Sequence, residues 1–128
     1  MALYHTQRRV SFSDTDLAGI VHFSRSLTYV EDAEHAWLET LGHNLEGELA
    51  WPRVHVNCDY LKPLRFRDQV DVFIPSVEVG ASSLSYCFEL RVDGEIAAKG
   101  SMTLVRIFQG GGKAPFSQEE RLAFTNGG

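Results

Sequence analysis

Asp14 and Asp16 stand on either side of one threonine in the stretch SDTDLAGIVHF, residues 13–23. The residues before them alternate like a strand, and those after them enter a helical spacing, so the pair falls where one element hands over to the next. Three kinds of chemistry use acids at such a place. A calcium loop carries acids at positions 1 and 3 and glycine at position 6, which Asp14, Asp16 and Gly19 match, but Ala18 then holds position 5 and Arg25 holds position 12, where a bidentate Glu belongs. A cation facing a cation rules that out. An aspartate nucleophile for phosphoryl transfer also follows a strand, but it needs a parallel sheet built from alternating strands and helices, and this chain lacks that order.

The third chemistry fits. With a reference pKa of about 3.9, an aspartate here is ionised at neutral pH. The helix that follows turns its free N–H groups and its positive end back toward the acids. An acyl carbonyl lodged there is polarised by the amides while a carboxylate faces its carbon, an arrangement suited to acyl transfer. A thioester is the apt substrate, because a thiolate leaves readily enough for a weak carboxylate nucleophile to be useful.

The elements that must hold these acids can be read along the chain. Residues 4–12 form a strand ending in Val10 and Phe12, and residues 14–22 form a turn. Leu27, Val30, Ala33, Trp37 and Leu41 recur at spacings of three and four, which predicts one helix over 24–41 with Gly42 as its stop. Eighteen residues make a rod of about 27 Å. Strands are expected over 53–61, 69–79, 82–92 and 95–108, with a hairpin turn at Asp93-Gly94 and an edge or bulge at Pro75. GGGKAP, residues 110–115, reads as a flexible exit, and residues 117–124 as a short last helix. Short connections require antiparallel pairing. The expectation is therefore an α+β chain of one domain over 1–128, a five-stranded antiparallel sheet wrapped around one long helix. Such a sheet leaves an edge that a second copy would cover, so a homodimer or homotetramer is expected.

Composition excludes other classes. The 44% apolar content supports a folded core, and a formal charge of -5 gives no basic face for nucleic acid. No apolar run approaches the roughly 18 residues of a membrane span. The first residues carry no signal-like apolar region, and Cys58 and Cys87 read as buried reduced thiols, so a cytoplasmic location is expected. His22, His35 and His55 have no metal-ligand spacing, and no metal is expected.

The stretch FSDTDLAGIVHFSRSLTYVEDAEHAWL resembles the active-site segment of the 4-hydroxybenzoyl-CoA thioesterase family of hotdog-fold enzymes, including the YbgC-like acyl-CoA thioesterases. Asp14, Asp16, Gly19, Val21 and Phe23 fall on the family's pattern, YLKPLRFRDQV is similar to its third-strand region, and the likeness spans most of residues 4–108. The resemblance implies a hotdog fold and hydrolysis of an acyl-CoA thioester. It makes Asp16 the catalytic carboxylate, acting as nucleophile or as a base on water, and the backbone N–H of Phe23 the donor to the carbonyl. Gly19 keeps the turn open. Asp14 shapes the turn beside the substrate, Glu31 lines the acyl pocket from the helix, and Ser83 in GASSLS meets the pantetheine arm. The 4-hydroxybenzoyl enzyme is rich in arginine and lysine where this chain has Gly80, Ala81 and Ser82, so phosphate binding falls to other cations, Arg65 first, then Arg67 and Lys62. The carrier is coenzyme A or an acyl carrier protein, no separate cofactor is implied, and the site is expected at a subunit interface. Phe23 and Tyr29 near the helix start would accept an aryl group, such as hydroxybenzoyl or dihydroxynaphthoyl, or a medium aliphatic chain. Two other readings stay open on these residues: a hydratase using His22 or His55 as base, and a binding module without catalysis.

Overall fold

Alternation along four of the predicted runs resolves into one antiparallel sheet with a single long helix lying across it. The computed structural model describes residues 2–126. Its elements are β1 (Tyr4–Arg9), a 3-10 turn (Phe12–Asp14), α1 (Phe23–Thr40), β2 (Leu49–Ala50), β3 (Arg53–Tyr60), β4 (Gln69–Ile74), β5 (Val77–Val79), β6 (Ser83–Val92), β7 (Glu95–Val105), β8 (Ile107–Phe108) and α2 (Gln118–Asn126). The main sheet runs β1-β4-β6-β7-β3, with β5 also paired to β6, and β2 and β8 form a small second ladder. This is the α+β architecture expected, with six strands in the main sheet rather than five.

The extra strands have local causes. Pro75 has no N–H to give a ladder, so the run 69–79 breaks there into β4, paired with β1 and β6, and β5, paired with β6 alone. The run 95–108 breaks at Arg106, whose buried guanidinium turns to the carbonyls of Ala114 and Pro115 and to Glu120, leaving β8 to pair with β2.

Along β6, Leu84, Tyr86, Phe88 and Leu90 face α1 and are buried, while Cys87 between them faces out. The expectation of two buried thiols therefore fails at Cys87, which is exposed on the outer face; Cys58 is partly buried. On α1, Val30, Ala33 and Trp37 are buried as the spacing requires, but Leu27 and Leu41 only pack at the margin. Tyr29, Glu34 and Leu38 are buried as well, because the curved sheet wraps more of the helix than one stripe. Gly100 is required where β7 pairs with β3 opposite Cys58: a Cβ there would lie 2.0 Å from the Asn57 carbonyl oxygen.

The C-terminal segment is anchored rather than loose. Ala114 and Phe116 are buried, and their N–H groups donate to Arg106 O at 2.9 Å and Ala81 O at 2.8 Å. In α2, Phe124 stacks on the His43 ring at 5.1 Å and meets Trp37 at 5.9 Å, so this short helix closes one end of the core.

Candidate active site

The turn carrying Asp16 is a miniature hairpin. Thr15 bridges Val21, the Asp16 N–H donates to Ile20 O at 2.9 Å, and the Gly19 N–H donates to Asp16 O at 3.0 Å. Gly19 has φ of +78°, a conformation that an L side chain rarely adopts, so glycine is what lets the chain turn back this sharply. The Ala18 N–H donates to Asp16 Oδ1 at 2.8 Å, an Asx turn that fixes one carboxylate oxygen. Two straps bind the hairpin to the segment before β4: the Val21 N–H donates to Leu64 O at 2.7 Å, and Ile20 bridges Arg65.

α1 begins immediately afterwards. His22 is its N-cap in an extended conformation, and its Nδ1 accepts the Ser24 N–H at 3.3 Å and lies 2.8 Å from Ser24 Oγ. The Arg25 N–H donates to His22 O at 2.8 Å. The Phe23 N–H has no acceptor among the described residues, as a first-turn amide normally lacks one within its own helix. Its carbonyl accepts from the Tyr60 hydroxyl at 2.9 Å. Burial, with Cys58 adding to it, pushes the Tyr60 hydroxyl up to about 12, so it remains a donor at neutral pH.

These pieces enclose a cleft of about 590 Å³ whose lining includes Asp16, His22, Phe23, Tyr60, Lys62 and Leu64. Within it an exposed carboxylate and the positive end of an 18-residue helix share one space. A carbonyl bound there would meet both an electron pair and a donor.

The other sequence-predicted residues are placed as follows. Asp14 is turned inward at 5% exposure, does not line the cleft, and accepts from the Tyr29 hydroxyl at 2.6 Å. It therefore offers no surface to a substrate in that cleft, and Tyr29, itself buried, offers no face to an acyl group. Burial first, then the neighbouring Asp14, raises the Tyr29 hydroxyl above the usual tyrosine range. Glu31 sits on a separate groove of about 220 Å³ with Thr28, Arg53 and Val56, and accepts from Arg53 at 3.1 Å. Ser83 opens β6, seven residues from Leu90, whose partner Ala98 lines the cleft; at about 3.3 Å per residue the separation is about 23 Å. Its hairpin is covered by the C-terminal segment, with Arg121 donating to Val79 O at 3.3 Å. Arg65 bridges Ile20 through its backbone and has an exposed side chain with no ion pair among the described residues. Lys62 pairs with Glu95. His55 lies away from the cleft, beside Asn57 at 3.4 Å.

Sequence reasoning overlooked Glu34. It is 1% exposed, accepts from Tyr86 at 2.6 Å and from Arg53 at 2.7 Å, and burial raises its pKa against the pull of Arg53. The signal was available: Glu34 lies four residues after Val30, inside the apolar stripe, where an acid needs a buried partner.

Comparison with known proteins agrees with this fold. The family described as the Thioesterase superfamily matches residues 18–98. A 1,4-dihydroxy-2-naphthoyl-CoA hydrolase of Synechococcus elongatus is 33% identical over 86 residues, 62% of this chain, and the match spans 63% of that relative's length. Among solved structures, the 1,4-dihydroxy-2-naphthoyl-CoA thioesterase of Synechocystis superposes with a TM-score of 0.84 at 25% identity, covering 94% of each chain. A gentisyl-coenzyme A thioesterase superposes with a TM-score of 0.86 at 27% identity, covering 94% of this chain and 99% of that one.

Proposed function

The chain belongs to the thioesterase superfamily, and from that premise we propose that it hydrolyses acyl-CoA thioesters, aromatic ones foremost, to the free acid and CoA. The observation that carries this reading is the one cleft lined by both Asp16 and Phe23, whose N–H has no acceptor among the described residues. In one course an Asp16 oxygen attacks the acyl carbon, the C–S bond breaks, the thiolate leaves and takes up a proton, and water then cleaves the acyl–Asp16 anhydride. In the other, Asp16 takes a proton from water as that water attacks. Both consume one water per thioester, both place negative charge on the carbonyl oxygen facing Phe23, and neither calls for a cofactor. Asp16 Oδ1 is held by Ala18, which leaves Oδ2 as the reacting oxygen.

The aromatic preference draws support from the relatives, whose names specify hydroxylated aryl thioesters. The FSDTDLAGIVHF segment supports placement with the 4-hydroxybenzoyl-CoA, YbgC-like branch. Exposed Arg65 and Arg67 supply positive charge for the nucleotide phosphates.

A second copy belongs to the proposal. Among the described residues β3 pairs only with β7, and its other edge exposes Val54, Val56 and Tyr60. Antiparallel addition there would bring the Glu31 groove and Ser83 of one protomer toward the cleft of the other. No helix among the described residues is long and apolar enough to cross a membrane, and we place the enzyme in the cytoplasm.

Thiol release from a panel of acyl-CoAs tests the assignment. Aryl-CoA is expected to exceed short acyl-CoA, and Asp16→Asn is expected to lose at least about 10³-fold in kcat. Absence of thiol release by the wild type, or hydration of enoyl-CoA without thiol release, would remove the hydrolase reading, and full activity in Asp16→Asn would remove Asp16 as its reacting group.

A further inference from the structure

Three segments converge on the carboxylate of Asp14. From α1, Tyr29 donates to Oδ2 at 2.6 Å. Arg8 of β1 lies 3.6 Å from the same oxygen, and its guanidinium stands 4.4 Å from the centre of the Tyr29 ring. The Ser11 N–H reaches Oδ2 at 3.4 Å, and Arg25 Nε lies 4.0 Å from Oδ1. The main chain of the same residue is tied as well: Asp14 O accepts the N–H of His22, the cap of α1, at 3.0 Å. Arg8 is itself braced by Asp32 at 2.7 Å.

We propose that Asp14, with Tyr29 and Arg8, is a positioning residue that sets where the Asp16 carboxylate stands relative to the Phe23 amide. The inference rests on the hydrolase reading, in which those two groups act on one carbonyl. Asp16 lies two residues after Asp14, and Phe23 one residue after His22. Asp14 grips the body of α1 through its side chain and the helix cap through its carbonyl. The hairpin between them therefore cannot slide along or away from the helix axis without breaking a buried, charged contact. Among the described residues Asp16 has no comparable anchor, since its side chain is exposed and held only by Ala18.

A charged network is a costly way to fill a core position. An apolar pair of similar volume would fill the space between loop and helix without the desolvation penalty of a carboxylate at 5% exposure. What the network adds is directionality: donors approach the carboxylate along fixed lines, so one arrangement is specified. A misplacement of about 1 Å at a reacting centre can cost about 10²-fold in rate, which makes such a specification consequential here.

The test compares Tyr29→Phe, Asp14→Asn, Asp14→Ala and the Asp14→Ala/Tyr29→Phe double variant, with Asp16→Asn as reference, by thiol release from an aryl-CoA. Each is also followed by its unfolding midpoint. Tyr29→Phe is expected to lower kcat about tenfold with KM changed less than about twofold, and Asp14→Ala about 100-fold. Asp14→Asn keeps an oxygen that can accept from Tyr29, so it should recover part of what Ala loses. The double variant should cost no more than Asp14→Ala alone, because both changes break one contact. Should Asp14→Ala fail to fold, Tyr29→Phe and Asp14→Asn decide the matter by the same kcat-against-KM split. Unchanged kcat per folded molecule in those two, with Asp16→Asn inactive, overturns the positioning role alone. Full hydrolysis by Asp16→Asn removes Asp16 as the reacting group and the positioning role with it, whereas wild-type protein that releases no thiol from any acyl-CoA removes the hydrolase reading itself.

Discussion

The Tyr60 hydroxyl, at the end of the edge strand β3, donates to the carbonyl of Phe23, the residue that opens α1, at 2.9 Å. A strand edge thus steadies the helix end that lines the cleft. Tyr60→Phe removes this bond without removing bulk. A neutral hydrogen bond of this kind contributes about 0.5–1.5 kcal/mol to stability, so the unfolding midpoint should fall by about 2–8 °C, and a fall in kcat of up to about tenfold is expected. Steady-state hydrolysis of one aryl-CoA by wild type and variant checks it.

His22→Ala separates two employments of the imidazole. As N-cap, with Nδ1 receiving the Ser24 N–H at 3.3 Å, His22 should be worth about 1 kcal/mol of stability. Urea denaturation should record that loss, and thiol release should stay within about tenfold of wild type. A loss of 10³-fold or more in hydrolysis would identify the ring as a proton-transfer group instead.

Gly19→Ala tests the turn. Nothing lies within 4 Å of a Cβ built there, so the cost is conformational only, from φ of +78°. About 1 kcal/mol of destabilisation is expected, together with a kcat reduction larger than that loss of stability implies, because the hairpin that carries Asp16 must relax. Equal rates at equal folded fraction would detach the turn's shape from the chemistry.

How much of this could be read from residues alone depends on whether a period was present. α1 was legible because Val30, Ala33 and Trp37 repeat at helical spacing, and β6 because its alternation is unbroken. Asp14 and Asp16 were legible as a site, and the family resemblance gave the chemistry to Asp16 and the turn to Asp14, but the local pattern did not show which of them is buried. A turn has no period, so nothing local says which acid faces in; the answer came from Arg8 and Tyr29, one before and one well after the turn. Missing also was the docking of α2. Met102, Leu104 and Arg106 share one strand parity, and the first two are core residues, so a charge at the third position demands a buried partner. That partner, Glu120, stands three residues after Ser117 in a capping box, with Ser117 N–H to Oε1 at 2.8 Å and Glu120 N–H to Ser117 Oγ at 3.1 Å. The pattern was present in SQEE, but its long-range destination was not.

The Glu120 contact carries a pH dependence whose sign can be worked out. Hydrogen bonding from Arg106, at 2.6 Å and 3.1 Å, with the Ser117 N–H and the nearby positive charge assisting, holds the carboxyl down at about 2 from an ordinary 4.5. A depressed acid favours the folded chain in its charged form, so the stabilisation is complete above the unfolded value and is lost as pH falls through the folded one. Solvent reaches the Glu120 side chain, which is 29% exposed, and screening reduces the gain to about 1–2 kcal/mol. Glu120→Gln should therefore be about 1–2 kcal/mol less stable than wild type at pH 7 by urea denaturation, and the gap should close between pH 4.5 and 2. Since α2 seals the end of the core through Phe124 on His43, the same acid window should expose Trp37 and Trp51 to solvent in wild type, read as a red shift in their fluorescence. A gap that persists unchanged down to pH 2 would mean that Glu120 holds α2 by shape and not by charge.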